Sequence, residues 1–168
     1  EGFDVTYLMP DAAGFIHPEN LLKAMRPDTI LVSIMMANNE IGTIQPISDL
    51  AYIAHTNGCE GCLFHTDAVQ AYGQIPIDVK RLGVDLLSAS AHKIYGPKGI
   101  GLLYIRDGVT LTPLIFGGGQ ESGIRGGTEN VPAIAGLGEA AEEIYENLDE
   151  KRAHLYGLKQ RFIDGIEK

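Results

Sequence analysis

The feature that most constrains the fold is a run of mainly apolar and β-branched residues at positions 29–35, in which polar and apolar side chains do not alternate. Such a run is typical of a strand that is buried on both faces, as in a parallel sheet covered by helices. Further strand patterns lie at Leu63–Asp67, 84–88 and Gly101–Ile105. The sequence therefore predicts an α/β fold, with a mostly parallel sheet flanked by helices.

Shorter patterns fill the N-terminal part. Residues 3–8 predict a strand, and residues 18–25 predict a short helix because Pro18 stands near its start. A further helix is predicted over residues 47–55, with Ser48 as a candidate N-cap.

The C-terminal part follows a different pattern. From Val131 onward, apolar residues recur three and four positions apart, which predicts a long amphipathic helix interrupted near Asn147 or Gly157. Its other face is acidic and is expected to be solvated. Two regions are therefore expected: an α/β domain over residues 1–130 and a long helix over residues 131–168.

Composition excludes several functional classes. The 168 residues carry 13 basic and 22 acidic side chains, a net charge of −9 that argues against bulk binding of nucleic acid or anionic membrane. No apolar run approaches the roughly 18 residues of a membrane span, and the N-terminus lacks a secretory signal pattern. Two cysteines cannot build a disulfide scaffold, so a cytoplasmic location is expected. Because no Met precedes the chain and it stops within a helical pattern, we expect a piece of a longer protein.

Polar residues follow several predicted strands, and ligands of parallel sheets bind beyond the carboxyl ends of the strands. Lys93 follows a buried strand, where scarce solvent would favour the neutral amine that nucleophilic chemistry needs. Asp67 closes a neighbouring strand. An amine and an acid in one crevice match the needs of pyridoxal phosphate: a lysine for the aldehyde and an acid for the ring nitrogen. The alternatives are an exposed surface charge for Lys93 and a helix N-cap near Ala68 for Asp67.

A phosphate site is indicated by a local reversal of charge. Ser90, His92 and Thr128 are suitable donors, and glycine runs at 117–119 and 123–127 permit close backbone approach. Between Lys93 and Arg125 the chain carries two more basic than acidic side chains, which favours an anion site. Flexible linkers are the alternative interpretation of the glycine runs.

Four ordered motifs carry a family resemblance: NNEIG at 38–42, HTDAVQ at 65–70, SAHKIYGPKG at 90–99 and RGGTEN at 125–130. Together they closely resemble the cysteine desulfurase and selenocysteine lyase family of class-V aminotransferases. The resemblance implies the fold-type-I architecture of pyridoxal phosphate enzymes. Residues 1–130 would be part of the cofactor-binding large domain, and residues 131–168 a helix leading toward a C-terminal small domain.

The resemblance also implies roles around the cofactor ring. Lys93 is similar to the lysine that bonds to the cofactor and then moves protons. Asp67 is similar to the acid at the pyridine nitrogen, and Gln70 to the donor to the ring hydroxyl. Asn39 is similar to the amide near that hydroxyl and the substrate carboxylate.

Other roles implied by the resemblance concern the phosphate and the substrate. Ser90 and His92 are similar to phosphate ligands, and Thr128 to a threonine that reaches the phosphate of a partner subunit, which implies a homodimer. Arg125 is expected in the active site, at the substrate. The cofactor implied is pyridoxal 5′-phosphate, and no metal is expected.

The reaction implied is removal of sulfur from L-cysteine, leaving alanine and a persulfide on a protein cysteine. The family's sulfur-accepting cysteine and an N-terminal cofactor-binding segment have no counterparts here, so we expect the chain alone to be inactive. The sulfur acceptor protein is left open between iron–sulfur assembly, transfer RNA thiolation and other pathways.

Several alternatives stay open at this point. Cys59, Cys62 and His65 spell C-x-x-C-x-x-H, which permits a zinc site or a redox pair as well as two ordinary half-buried thiols. A selenocysteine lyase, a non-catalytic scaffold of the same fold and a nucleotide-binding protein, on the glycines at 96–101, are the rival functions.

Overall fold

The computed structural model describes residues 2–167, so the outermost positions of both predicted regions lie outside it. Its centre is a sheet with the strand order β1-β2-β3-β4. The first three strands are parallel and the fourth pairs antiparallel with the third. The strands are β1 (Leu31–Met35), β2 (Leu63–Asp67), β3 (Leu86–Ser90) and β4 (Gly101–Ile105).

One helix precedes the first strand, two lie between the parallel strands and two form the C-terminal part of the chain. They are α1 (Pro18–Ala24), α2 (Ile47–Asn57), α3 (Val79–Leu82), α4 (Val131–Glu146) and α5 (Leu148–Ile166). Short 3-10 turns lie at Ala91–Lys93 and Gln120–Gly123. None of the helices within residues 2–167 combines the length and the apolar character of a membrane span.

The core lies between one face of the sheet and helices α1 and α2. Phe64 and Thr66 of β2 are fully buried on this face, where α2 contributes Leu50, Ala51 and Ala54. On the opposite face the side chains of β1 and β2 are half-buried or exposed. One covered and one open face explain why only alternate residues of these strands are buried, so the predicted burial of the first strand on both faces is wrong.

A buried aspartate joins the elements at the amino edge of the parallel strands. Asp85 is fully buried, and its Oδ2 accepts hydrogen bonds from Phe64 N at 2.6 Å and His55 Nε2 at 2.7 Å. Arg106 Nη2 lies 2.6 Å from Oδ1, close enough to offset its charge, although the geometry is not that of an aligned hydrogen bond. This cluster connects α2, β2, the start of β3 and the end of β4.

The C-terminal helix is divided at Asn147, one of the two positions predicted from the sequence. Helix α4 packs on the body, because Ala133 and Ile144 are buried and Tyr145 makes an edge-on contact with Tyr72 at 5.4 Å between ring centres. Helix α5 buries only Leu148.

Three further local predictions and one alternative interpretation are wrong. Residues 3–8 are not a strand, since they pair with no strand of the described chain. Helix α2 has Pro46 at its N-cap, and Ser48 makes no capping bond. Strand β3 begins two residues later than predicted, because the charge cluster holds Asp85 just ahead of it. No helix begins near Ala68, where the chain forms turns.

Candidate functional site

The site is built at the carboxyl edge of the three parallel strands. Met35, Asp67 and Ser88 lie side by side in register across β1, β2 and β3. Strand β3 continues to Ser90 and then enters the turn Ala91–Lys93. Sheet register therefore brings the acid and the turn that carries the lysine to one edge of the sheet.

The two carboxylate oxygens of Asp67 differ in their hydrogen bonding. Its Oδ1 accepts a hydrogen bond from Val69 N at 2.8 Å, which fixes the turn after β2. Within residues 2–167, Oδ2 accepts no hydrogen bond, and the side chain is half-buried. This oxygen can accept a proton or a hydrogen bond from a ligand.

Lys93 is exposed, so the predicted solvent-poor setting is wrong. Its backbone is nevertheless anchored, because Ala91 and Ile94 on either side are buried and Ile94 N donates to Ala91 O at 3.0 Å. Within the described chain the ammonium group has no carboxylate within salt-bridge distance. The lysine is an exposed amine on an anchored turn.

Ser90 and His92 form a local pair beside this lysine. Ser90 Oγ lies 2.7 Å from His92 Nδ1, and the His92 ring is exposed. A hydroxyl and an imidazole so close together can both contribute hydrogen bonds to one anionic group.

Asn39 and Gln70 line one shallow cavity of about 450 Å³ between the loop after β1 and the turn after β2. The neighbouring Asn38 shapes the loop, since its Oδ1 accepts from Glu40 N and Ile41 N at 2.9 and 3.0 Å. Both predicted amide side chains therefore face the same space.

Arg125 and Thr128 lie on a separate glycine-rich loop, and both are exposed. Gly126 N donates to Ile115 O at 3.1 Å, and Gly126 packs so closely on Gly117 that an added Cβ would lie 2.9 Å from its backbone. Among the residues described, neither Arg125 nor Thr128 has a side-chain hydrogen bond to another predicted site residue.

Sequence reasoning missed the setting of His65. Its Nδ1 lies 2.8 Å from Ser33 Oγ and its Nε2 lies 3.2 Å from Ser88 Oγ. Burial lowers the pKa of His65, while the charge of Asp67 raises it to a lesser extent. The sequence contained a signal for this setting: side chains two positions apart on a strand share one face, so His65 lies on the same face as Asp67.

The C-x-x-C-x-x-H pattern does not form a metal cluster in the described part of the chain. Both ring nitrogens of His65 are next to serine hydroxyls, and Cys62 is buried. Burial also raises the pKa of the Cys62 thiol, which leaves it a poor nucleophile.

A larger cavity of about 760 Å³ lies elsewhere, between the loop 94–97 and helices α4 and α5. None of the predicted site residues lines it. Its walls combine apolar residues such as Ile94 and Leu155 with charges at the rim such as Glu143 and Arg152. It therefore belongs to the packing of the two C-terminal helices and not to the strand-end site.

Comparison with known proteins shows what the chain is similar to. Residues 1–168 match the family described as aminotransferase class-V. Cysteine desulfurase IscS of Methanosarcina thermophila is 54% identical over 168 residues, which are 100% of this chain and 41% of that protein. The mitochondrial cysteine desulfurase of Saccharomyces cerevisiae is 51% identical over 99% of this chain and 33% of its own length.

Solved structures agree with this similarity. A NifS-like protein superposes with a TM-score of 0.93 at 48% identity, over 99% of this chain and 45% of the other. SspA in complex with cysteine superposes with a TM-score of 0.79 at 52% identity, over 84% of this chain and 40% of the other. The chain thus spans less than half the length of the relatives it matches.

Proposed function

The chain belongs to the aminotransferase class-V family, and from this premise we propose that it binds pyridoxal 5′-phosphate and supplies the cofactor site of a cysteine desulfurase. One observation carries the proposal: the sheet register that brings Asp67 and the turn of Lys93 to the same strand edge. The relatives named cysteine desulfurase support L-cysteine as the substrate.

The donor set at this edge fits the proposed cofactor. The fit rests on three chemically distinct groups: an amine that makes no salt bridge and a carboxylate oxygen that accepts no hydrogen bond within residues 2–167, and a hydroxyl–imidazole pair. Lys93 would bond to the aldehyde carbon, Asp67 would hold the ring nitrogen, and Ser90 with His92 would bind phosphate. When bound, the cofactor withdraws electrons from the Cα of the amino acid.

Each residue then has a defined task. The unpartnered Oδ2 of Asp67 holds a proton at the ring nitrogen, because an anionic oxygen favours the positive form of that nitrogen. Gln70 donates to the ring hydroxyl, and Asn39 orients both this hydroxyl and the substrate carboxylate from the shared cavity. Lys93, with its amine free, would accept the Cα proton of the amino acid and return it in the product.

The sulfur step balances with one protein thiol as acceptor. A thiolate attacks the sulfur of cysteine, the carbon–sulfur bond breaks, and the thiol plus L-cysteine become a persulfide plus L-alanine. Cys59 and Cys62 are not proposed as this thiol, because both precede β2 and lie toward the edge of the sheet opposite the site. Cys62 lies five residues before Asp67, about 16 Å away along β2 at about 3.3 Å per residue.

The remaining proposals concern the partner subunit, the substrate contact and the sulfur acceptor. We propose a homodimer in which Thr128 reaches the phosphate of the partner site. Thr128 is exposed on its loop, and the nearby apolar side chains of Leu114 and Phe116 are 94% and 79% exposed, which supports a partner surface there. Arg125 on the same loop would bind the substrate carboxylate. A sulfur-acceptor protein is the proposed downstream partner, and the cytoplasmic location stays a prediction.

The test uses the full-length protein, mixed with pyridoxal 5′-phosphate and then L-cysteine. We expect a visible absorbance band from bound cofactor, formation of alanine and, with a thiol reductant added to reduce the persulfide, cysteine-dependent release of sulfide. Lys93→Ala should abolish the band, whereas the matched variant Lys98→Ala, in the exposed loop that follows, should keep it. A strong band that survives in Lys93→Ala would overturn the assignment of the lysine.

A further inference from the structure

A hydrogen-bonded bridge crosses the open face of the sheet just behind the site. Ser33, His65 and Ser88 belong to the adjacent strands β1, β2 and β3, and the imidazole contacts both hydroxyls, at 2.8 Å and 3.2 Å. Ser33 is the direct register partner of His65, so the first contact follows the sheet ladder itself. The mechanism above uses none of these three side chains.

The bridge lies next to Asp67 in two ways. His65 precedes Asp67 by two positions, so both side chains project from the same face of β2. Ser88 is the direct register partner of Asp67 on β3. One end of the bridge therefore lies beside the carboxylate, and its centre lies one pleat behind it.

We propose that His65 is a positioning residue for Asp67, held by Ser33 and Ser88 as a neutral bridge that fixes the end of β2 against β3 and leaves the carboxylate charge uncompensated. The inference rests on the proposed function, in which Asp67 holds the ring nitrogen of the cofactor. A cation at this position would offset the negative charge on which that role depends.

The charge state of the ring follows from its surroundings. Burial lowers the pKa of His65 and outweighs the opposing effect of Asp67. The groups that contact the ring from β1 and β3 are neutral hydroxyls, and Asp67 is the charged group that acts on it from β2. The ring is therefore neutral at neutral pH, with one nitrogen a donor and the other an acceptor, which the two serines can complement.

A purely structural role would predict something different. Loss of a hydrogen-bonded histidine would then lower stability without changing how Asp67 acts on a ligand. His55 supplies the matched control, since it is also hydrogen-bonded to neighbouring elements but lies at the opposite edge of the sheet, on Asp85.

The experiment uses the full chain loaded with pyridoxal 5′-phosphate labelled with ¹⁵N in the ring. We measure the dissociation constant of the cofactor and the ¹⁵N resonance of the ring nitrogen, which reports its protonation. His65→Leu should weaken binding about tenfold, the loss typical when a group that orients a ligand-binding side chain is removed. It should also move the resonance toward the unprotonated form, whereas His65→Gln, a neutral hydrogen-bonding replacement, should change both less.

Two further variants distinguish a positioning role from a loss of stability. Ser88→Ala removes one end of the bridge and should shift both readouts in the same direction as His65→Leu, by less. His55→Gln should lower stability and leave both readouts unchanged.

Each other outcome has a defined meaning. If His65→Leu folds and matches the wild type in both readouts, or if His55→Gln reproduces its effects, the positioning role is overturned. A wild-type chain that binds no cofactor would instead overturn the proposed function.

Discussion

The amino and carboxyl edges of the parallel strands each carry an aspartate, a histidine and a basic side chain. The two aspartates differ in burial and in how many of their oxygens have partners. At the amino edge, Asp85 is fully buried, hydrogen-bonded to His55 and a backbone amide through Oδ2 and paired in charge with Arg106 at Oδ1. At the carboxyl edge, Asp67 keeps one oxygen unpartnered in the described chain, while Lys93 is exposed.

The difference shows which polar residues hold the fold together and which are available for chemistry. A buried carboxylate is tolerated only with fixed partners, and those partners leave it no capacity for a ligand. A half-buried carboxylate with an unused oxygen costs the fold little and can bind something else. The same residue types therefore stabilise the protein at one edge and, in the proposed function, act on a cofactor at the other.

The largest expected effect comes from Asp67→Asn. The asparagine retains Oδ1, so the turn bond to Val69 N survives, but the anionic oxygen is lost. We expect the rate of alanine formation to fall on the order of 10³-fold, about 4 kcal/mol of transition-state stabilisation. The free energy of unfolding should change by less than about 0.5 kcal/mol.

Steady-state kinetics and urea unfolding of the full-length protein measure both quantities. Asp107→Asn, in the exposed turn after β4, is the matched control and should change neither. If Asp67→Asn retained full activity, the contrast between the two edges would lose its functional meaning.

The opposite result is expected for Asp85→Asn. Its amide would place an N–H beside Arg106 or Phe64 N, so a buried donor would lose its partner. We expect the free energy of unfolding to fall by about 2–4 kcal/mol, with the half-exposed Arg106 limiting the loss. Folded protein at low temperature should keep most of its activity. Equal losses of stability from Asp67→Asn and Asp85→Asn in urea titrations would contradict the comparison.

Much of the fold could be predicted from local sequence. The strands Leu63–Asp67 and Gly101–Ile105 have the predicted bounds. The mostly parallel α/β fold and the class-V family are confirmed. The antiparallel direction of β4 and the lack of a strand at residues 3–8 depend on pairing between distant segments, which periodicity does not encode.

The candidate site was predictable in its location and less so in its environment. The positions of Asp67 and Lys93 at the ends of predicted strands indicated the site, and the sheet register brings both to one edge. Exposure of Lys93 could not be read from its neighbours, because burial depends on what covers the edge. The Asp85 cluster was missed although a charge inside the apolar run 84–87 was the available signal.

A smaller effect should separate the two cysteines at the amino edge. Cys62 is buried with its pKa raised by that burial, whereas Cys59 is half-buried. We expect iodoacetamide to modify Cys59 at least about tenfold faster than Cys62, since only the thiolate reacts and it must be accessible. Mass spectrometry of peptides from the native full chain gives both rates. Faster modification of Cys62 would show that this edge is more open than the buried cluster implies.

The smallest effect is the contribution of His65 to stability as pH changes. Burial holds its pKa below the ordinary value in the folded chain, so the unfolded chain takes up the proton first. The contribution of His65 is therefore complete above about pH 6.5, the ordinary histidine value, and is lost as pH falls toward the folded pKa. His65→Gln should flatten the dependence of unfolding free energy on pH between about 7.5 and 5.5, relative to the wild type and to the surface variant His154→Gln. An unchanged slope would mean that the native and unfolded chains protonate His65 at the same pH, so that burial does not keep the ring next to Asp67 neutral.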